Sequence, residues 1–385
     1  MKNTFKKMDL VLLGATILMC SFGLLMIFSA SSVSTVLRYH VSPSHFFIRQ
    51  LIFLIASSII GVGFIMRIPT KRYNLIIWPL VISVIIALAG LFIYAPITGG
   101  AQSWYNLKVF KLQPSEFAKS IIIIFYACYY DVLSKKNVKN IYLYFIPLAV
   151  SFIIAALIMM QPDFGSAVII LGISFMMFLS IPNIKKQFMK VFKILLVAGV
   201  IGVVAILYSG NNILNSTQLR RLNFKDPCSR YTESTGYQVC NSLIAMKNGG
   251  LFGKGLGNST QKYLYLPESH TDFIFPIIVE ELGAVTGILV ILLYALILYR
   301  LLKIAKEAET LRNSIIPYGV FWYLLLHILI NLLGILALIP LTGVPLPFLS
   351  YGGSFTVNII IMLFLVQRAC VENKTLKLKR EIREL

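Results

Sequence analysis

Apolar residues run through this chain in long blocks separated by short polar breaks. Ten blocks approach the roughly 20 residues that a helix needs to cross a bilayer. They are residues 9–31, 46–66, 74–95, 115–133, 141–160, 163–181, 191–208, 271–299, 315–339 and 348–368. The pattern predicts an all-α, polytopic integral membrane protein with about ten transmembrane helices. One membrane domain spans 1–370, with a large outer loop at 209–270 and a basic tail at 371–385.

Composition agrees with the pattern. Hydrophobic residues make up 58% of the chain, only 13% are charged, and the mean hydropathy is +0.81. Too little polar surface remains to cover a soluble protein. The net charge of +20 could suggest nucleic acid. No basic stripe with interleaved aromatics appears, so the cations read as membrane flanks and nucleic acid is excluded as a partner. With the N-terminus inside, Lys6, Lys7, Arg67, Lys71, Arg72, Lys135, Lys136, Arg300, Lys303 and the tail all fall in the cytoplasm. The positive-inside rule therefore places both termini there. The first apolar run is too long for a signal-peptide core and reads as an uncleaved span. Of five cysteines, Cys20 and Cys128 lie in spans and Cys370 faces the cytoplasm. Cys228 and Cys240 share the outer loop, where they can form a disulfide.

Function should sit outside or within the spans, because the inner loops are short. Four outer segments carry chemistry. In the first, 113–119, Pro114 suits a first helical turn and Glu116 and Lys119 share one helix face. In the second, 161–167, Asp163 is the natural cap of the next span. A bolder reading joins Asp163 to Glu116 and Lys119 in one ion-pair cluster beneath the outer surface. The third is the loop itself, whose excess of Lys and Arg suits an anionic ligand. Within it, the glycine-rich run 249–257 fails the Walker spacing and reads as turns and close backbone packing. Glu268, His270 and Asp272 stand where this loop meets the next apolar block, a place where a carboxylate is expensive unless used. In the fourth, 343–354, two prolines and a glycine pair prevent regular helix at a membrane edge. Irregular backbone there must be covered by protein or line a cavity. His327, alone on an apolar helix, reads as a packed side chain.

Taken together, QPSEFAK at 113–119, QPDFGSA at 161–167, GNSTQKYLYLPESHTDFIF at 257–275 and GVPLPFLSYGGS at 343–354 resemble the SEDS family. The wording near 257–268 is closer to the division-type FtsW branch and the related SpoVE than to elongation-type RodA. The resemblance implies an inverting peptidoglycan glycosyltransferase of the bacterial cytoplasmic membrane that polymerises lipid II at the outer face. It also implies a class B penicillin-binding protein as partner, among other division membrane proteins. It places the essential acid at Asp272, with Glu116, Lys119 and Asp163 in support.

An enzyme acting on lipid II needs a base at the acceptor hydroxyl and cations at the diphosphate. Asp272 is the expected base, ionised at pH 7 by the N-terminal end of the helix it opens. A helix N-cap is its plain alternative. Arg220, Arg221, Lys108 and Lys111 are candidates for the diphosphate. His270, Glu268, Ser350, Gly352 and Gly353 are further substrate-binding candidates. Mg²⁺ or Mn²⁺ could bridge the phosphates, although no DxD motif marks a metal site; no organic cofactor is expected. Buried charges and a broken segment would also suit a lipid II flippase or transporter. A non-enzymatic scaffold for other wall enzymes is the remaining alternative.

Overall fold

The computed structural model describes residues 5–95, 102–107, 110–138, 140–181, 224–263 and 265–384. The expected seventh span at 191–208 lies outside the described residues, as do Lys108, Arg220 and Arg221.

The described helices are Leu10–Leu37 (α1), His45–Ile60 (α2, continued by a π turn at Gly61–Ile65), Tyr73–Tyr94 (α3) and Pro114–Lys135 (α4). They continue with Ile146–Met159 (α5), Phe164–Leu179 (α6), Ser234–Gly249 (α7), Ile274–Lys306 (α8), Leu311–Ile335 (α9) and Gly353–Glu384 (α10). Eight of the described helical segments are long and apolar enough to cross a membrane, and α6 is a shorter apolar helix of 16 residues. These nine match nine of the ten expected blocks. The additional helix, α7, lies in the stretch read as a polar loop. Cys228 and Cys240 form a disulfide that ties the short 3-10 turn Pro227–Arg230 to α7. The basic tail continues α10 as helix rather than starting a separate segment.

Local chemistry sets the helix starts. Asp9 caps α1, its carboxylate accepting from the Leu12 amide at 2.8 Å. Pro114 occupies the first turn of α4, where a missing N–H does no harm. Asp163 caps α6 through the Ser166 amide at 3.1 Å, as the sequence led one to expect. Packing then sorts the helices. α4 and α10 are the most buried. α2 is peripheral and turns Ile48, Ile52, Ile55 and Ile59 outward at helical spacing, a stripe suited to lipid.

Charged pairs knit one face of the bundle. The Arg300 guanidinium meets the Asp9 carboxylate, and Arg312 meets Asp131 with both side chains buried. Lys7 Nζ donates to Thr375 Oγ1 at 3.1 Å, so the first and last helices bring their termini to the same face. At the opposite face, α8 is not one continuous helix. Gly283 breaks it with φ 85°. The glycine-rich run packs into that break: the Ala284 amide donates to the Gly250 carbonyl at 2.9 Å, and the Gly255 amide to the Glu281 carbonyl at 2.8 Å. A Cβ on Gly253 would stand 2.3 Å from the Glu281 carbonyl oxygen, so no side chain fits there. The reading of 249–257 as close backbone packing therefore holds.

Candidate active site

The strap between α9 and α10, residues 342–352, is where the four sequence segments meet. A Cβ added to Gly165, in the second segment, would stand 2.8 Å from a Val344 methyl, so α6 abuts the strap directly. The Ser350 hydroxyl donates to the Thr271 carbonyl at 2.6 Å, and the Tyr351 amide donates to the His270 carbonyl at 2.9 Å. These bonds hold the 268–273 loop, in the third segment, against the strap. Just beyond it, Ser354 Oγ donates to the Lys111 carbonyl at 3.1 Å and accepts from the Gln113 amide at 3.0 Å. That fixes the small hairpin of Tyr105–Asn106 and Lys111–Leu112, and with it the first segment, to the start of α10. Irregular backbone at this depth survives because its polar groups are satisfied by these partners.

Asp272 sits inside this junction. Gly343, at φ 69°, passes so close that a Cβ there would stand 3.3 Å from Asp272 Oδ2. The backbone carbonyl of Asp272 accepts from Asn331 Nδ2 at 2.8 Å. The side chain does not cap α8, whose N-cap is Phe273 and lacks a side-chain cap. The expectation of a carboxylate held ionised by the helix end is thus corrected. Desolvation by burial, with a smaller push from the Glu268 carboxylate, raises the Asp272 pKa to about 7. That is close to what a general base working near neutrality requires.

The flanking residues have distinct environments. Glu268 is exposed, with left-handed backbone at φ 56°, and its carboxylate accepts from Thr271 Oγ1 at 3.0 Å. His270 is buried and stacked on Phe46, ring centroids 4.4 Å apart. Burial lowers its pKa to about 4, which keeps the imidazole neutral. Ser350 is buried and both donates and accepts within the protein, so its hydroxyl is a latch rather than a free substrate donor. The Gly352 amide faces Gln50 Oε1 at 3.3 Å, and Gly353 lies against the Phe53 ring. The Lys111 side chain is exposed.

Glu116 and Lys119 form the expected ion pair, 2.8 Å long and almost wholly buried. Asp163 does not join it by ion pairing. Its carboxylate is taken by the Ser166 amide, Gln113 Nε2 at 3.1 Å and Ser115 Oγ at 3.4 Å. The third member is His327, whose Nε2 lies 3.3 Å from Lys119 Nζ. An ammonium can only donate, so this imidazole nitrogen accepts.

A second acidic centre was missed. Glu280 and Glu281 of α8 are fully buried and wrapped by residues 257–262. Lys262 Nζ pairs with Glu281 at 2.9 Å, and Lys254 Nζ with Glu280 at 3.2 Å. Thr260 Oγ1 donates to Glu280 at 2.7 Å, and Ser29 of α1 to Glu281 at 2.6 Å. These pairs, with Arg230–Glu233 at 3.1 Å, use up loop cations that the sequence had offered to an anionic ligand. Two adjacent carboxylates inside an apolar run were the available signal. Among the described residues, no group of three or more His, Cys, Asp and Glu side chains is arranged to hold a metal ion.

The fold and junction define a class: a multi-pass helical membrane protein with a desolvated carboxylate at one membrane boundary. This chain belongs to the FtsW/RodA/SpoVE family, whose model, described as "Cell cycle protein", matches residues 9–375. It is 37% identical over 369 residues to the probable peptidoglycan glycosyltransferase FtsW of Bacillus subtilis, covering 94% of this chain and 90% of that one. It is 34% identical to stage V sporulation protein E of the same organism, covering 93% and 94%. Two solved structures share the fold at 21% identity. One, from a study of a peptidoglycan synthase complex that coordinates polymerization and crosslinking, gives a TM-score of 0.73 and covers 94% of this chain and 97% of its own. The other, the rod shape determining protein RodA of Thermus thermophilus, gives 0.66 and covers 94% and 96%.

Proposed function

We propose that this chain is a peptidoglycan glycosyltransferase that polymerises lipid II at the outer face of the cytoplasmic membrane during cell division. The observation that carries the reading is Asp272, desolvated at the junction of all four segments, with a pKa of about 7. In this reading both termini are cytoplasmic, a class B penicillin-binding protein works alongside, and residues 268–273 face the exterior.

Asp272 removes the proton from the 4-hydroxyl of one lipid II. That oxygen bonds to C1 of the growing chain's reducing-end sugar. The C1–O bond to the diphosphate breaks, and polyprenyl diphosphate leaves with the electron pair. A single displacement inverts α to β, so one carboxylate suffices, whereas retaining glycosidases use two. General-base assistance of this kind contributes roughly 10²–10⁴-fold. Lys111, Lys108, Arg220 and Arg221 are the residues proposed for the diphosphate, and His270 and Glu268 for the sugar. Gly352 and Gly353 contribute cavity wall through their backbone, and Ser350 secures that wall.

The test is polymer formation from lipid II by purified protein in detergent, with and without a candidate transpeptidase. Glycan made in a single compartment supports the transferase. Lipid II movement across vesicles without polymer would favour the flippase, and neither activity would favour the scaffold. EDTA added to the same assay tests for Mg²⁺ or Mn²⁺ carried by the diphosphate.

A further inference from the structure

His327 and Asn331 stand four residues apart on α9, hence on one face, and both side chains are buried. His327 is packed as the sequence suggested, against Tyr323 and Phe355, but both residues also make directed polar contacts. Asn331 Nδ2 donates to two backbone carbonyls, Asp272 and Val344, each at 2.8 Å. One amide group thus ties the loop that carries the carboxylate to the strap that faces it. The orientation of this amide is fixed by chemistry, because turning it over would point an oxygen at both carbonyls. One turn earlier, His327 Nε2 accepts from Lys119, which leaves Nδ1 as the N–H that faces the Pro345 carbonyl at 3.5 Å. The buried Glu116–Lys119 pair therefore reaches the strap through His327.

Three consecutive strap residues are thus engaged around Asp272. Gly343 lies against its Oδ2, Val344 is held by Asn331, and Pro345 faces His327. The carbonyl of Asp272 itself is held by the same Asn331 side chain.

We propose that Asn331 and His327 are positioning residues for Asp272: Asn331 clamps the Asp272 loop to the 343–345 strap, and His327 anchors that strap to the buried Glu116–Lys119 pair. The proposal rests on Asp272 being the base. Neither clamp residue touches the sugar; each acts through the backbone that aims the carboxylate. Misplacing a reacting group by about 1 Å can cost on the order of 10²-fold in rate. Glu268 and His270 are the titratable groups of the loop that carries Asp272, of which Glu268 raises the Asp272 pKa; across the strap contact at Pro345 stands His327, which meets Lys119 and through it Glu116.

The experiment compares wild type with Asn331→Leu, His327→Leu, His327→Gln and Asp272→Asn by steady-state polymerisation of lipid II across pH. Rates are normalised to the folded fraction from gel filtration. Asn331→Leu should lower kcat about 10- to 100-fold with KM changed less than about threefold. Its acid limb should also move to lower pH, because a released carboxylate gains water. His327→Leu should lower kcat about tenfold. His327→Gln should retain most of the rate, since an amide can still accept from Lys119 and donate toward Pro345. An unshifted acid limb in Asn331→Leu, or equal rates for His327→Leu and His327→Gln, overturns the clamp while an inactive Asp272→Asn leaves the base reading intact. An active Asp272→Asn overturns the base reading, and the clamp with it.

Discussion

Lys119 donates to Glu116 at 2.8 Å in a place where both side chains are all but excluded from solvent. Neither charge has water to fall back on. Replacing Lys119 by Met should destabilise the protein by roughly 3–5 kcal/mol, because the remaining carboxylate is buried without compensation. Replacing both together, Glu116→Gln with Lys119→Met, should recover much of that loss. Thermal unfolding in detergent measures both. Equal destabilisation by the single and double variants would mean that the pair is not what holds α4 in place.

Gly343 needs its glycine for two reasons. Its φ of 69° is strained for any side chain, and a Cβ would press on Asp272 Oδ2 at 3.3 Å. Gly343→Ala should therefore cost about 1–2 kcal/mol in backbone strain. It should also depress polymerisation more than stability alone explains. Comparing specific activity with melting temperature separates the two effects.

The environment of Asp272 makes a pH prediction. A base must be unprotonated, so the rate should fall as pH drops through about 7. Removing the nearby charge with Glu268→Gln should lower the Asp272 pKa and move that acid limb to lower pH. Stability should run the other way. Asp272 binds its proton more tightly folded than unfolded, so folding favours the protonated form. This group's contribution to stability is therefore lost as pH rises from about 4 to about 7, and pH-dependent melting curves of wild type and Asp272→Asn test the sign.

The Cys228–Cys240 disulfide closes a short segment, with a sequence separation of 12. A loop of that size is worth up to about 3 kcal/mol in the chain-entropy model. Cys228→Ser with Cys240→Ser should lower the melting temperature, and reductant should do the same to wild type alone. Alkylation under denaturing, non-reducing conditions should label Cys20, Cys128 and Cys370 but neither of the other two.

Much of this was legible in the sequence where the signal is local. The apolar blocks announced the spans, and Glu116 and Lys119 could be paired because helical spacing sets them on one face. Asp163 could be read as a cap because aspartate acts there on its immediate neighbours, and 249–257 as close backbone packing because of its glycines alone, although the backbone it packs against, Glu281 to Ala284, lies in α8. What escaped depends on contacts between distant segments. Glu281 finds Lys262 19 residues away and Ser29 252 residues away, pairings that no periodicity encodes. His327 is the packed side chain it was read as, but its contact with Lys119, 208 residues distant, carried no signal in the sequence. Asp272 was expected to be ionised from its place near a helix start. Its pKa of about 7 follows from burial and from the Glu268 carboxylate, and the burial depends on the tertiary structure.

Polymerisation of lipid II by folded Asp272→Asn protein, measured beside wild type at pH 7.5 and above, bears most directly on the chemistry drawn here. An amide of the same shape preserves packing but cannot take a proton, so the rate should drop about 10²- to 10⁴-fold with substrate binding retained. Glycan synthesis at the wild-type rate by that variant would contradict a carboxylate base at this position.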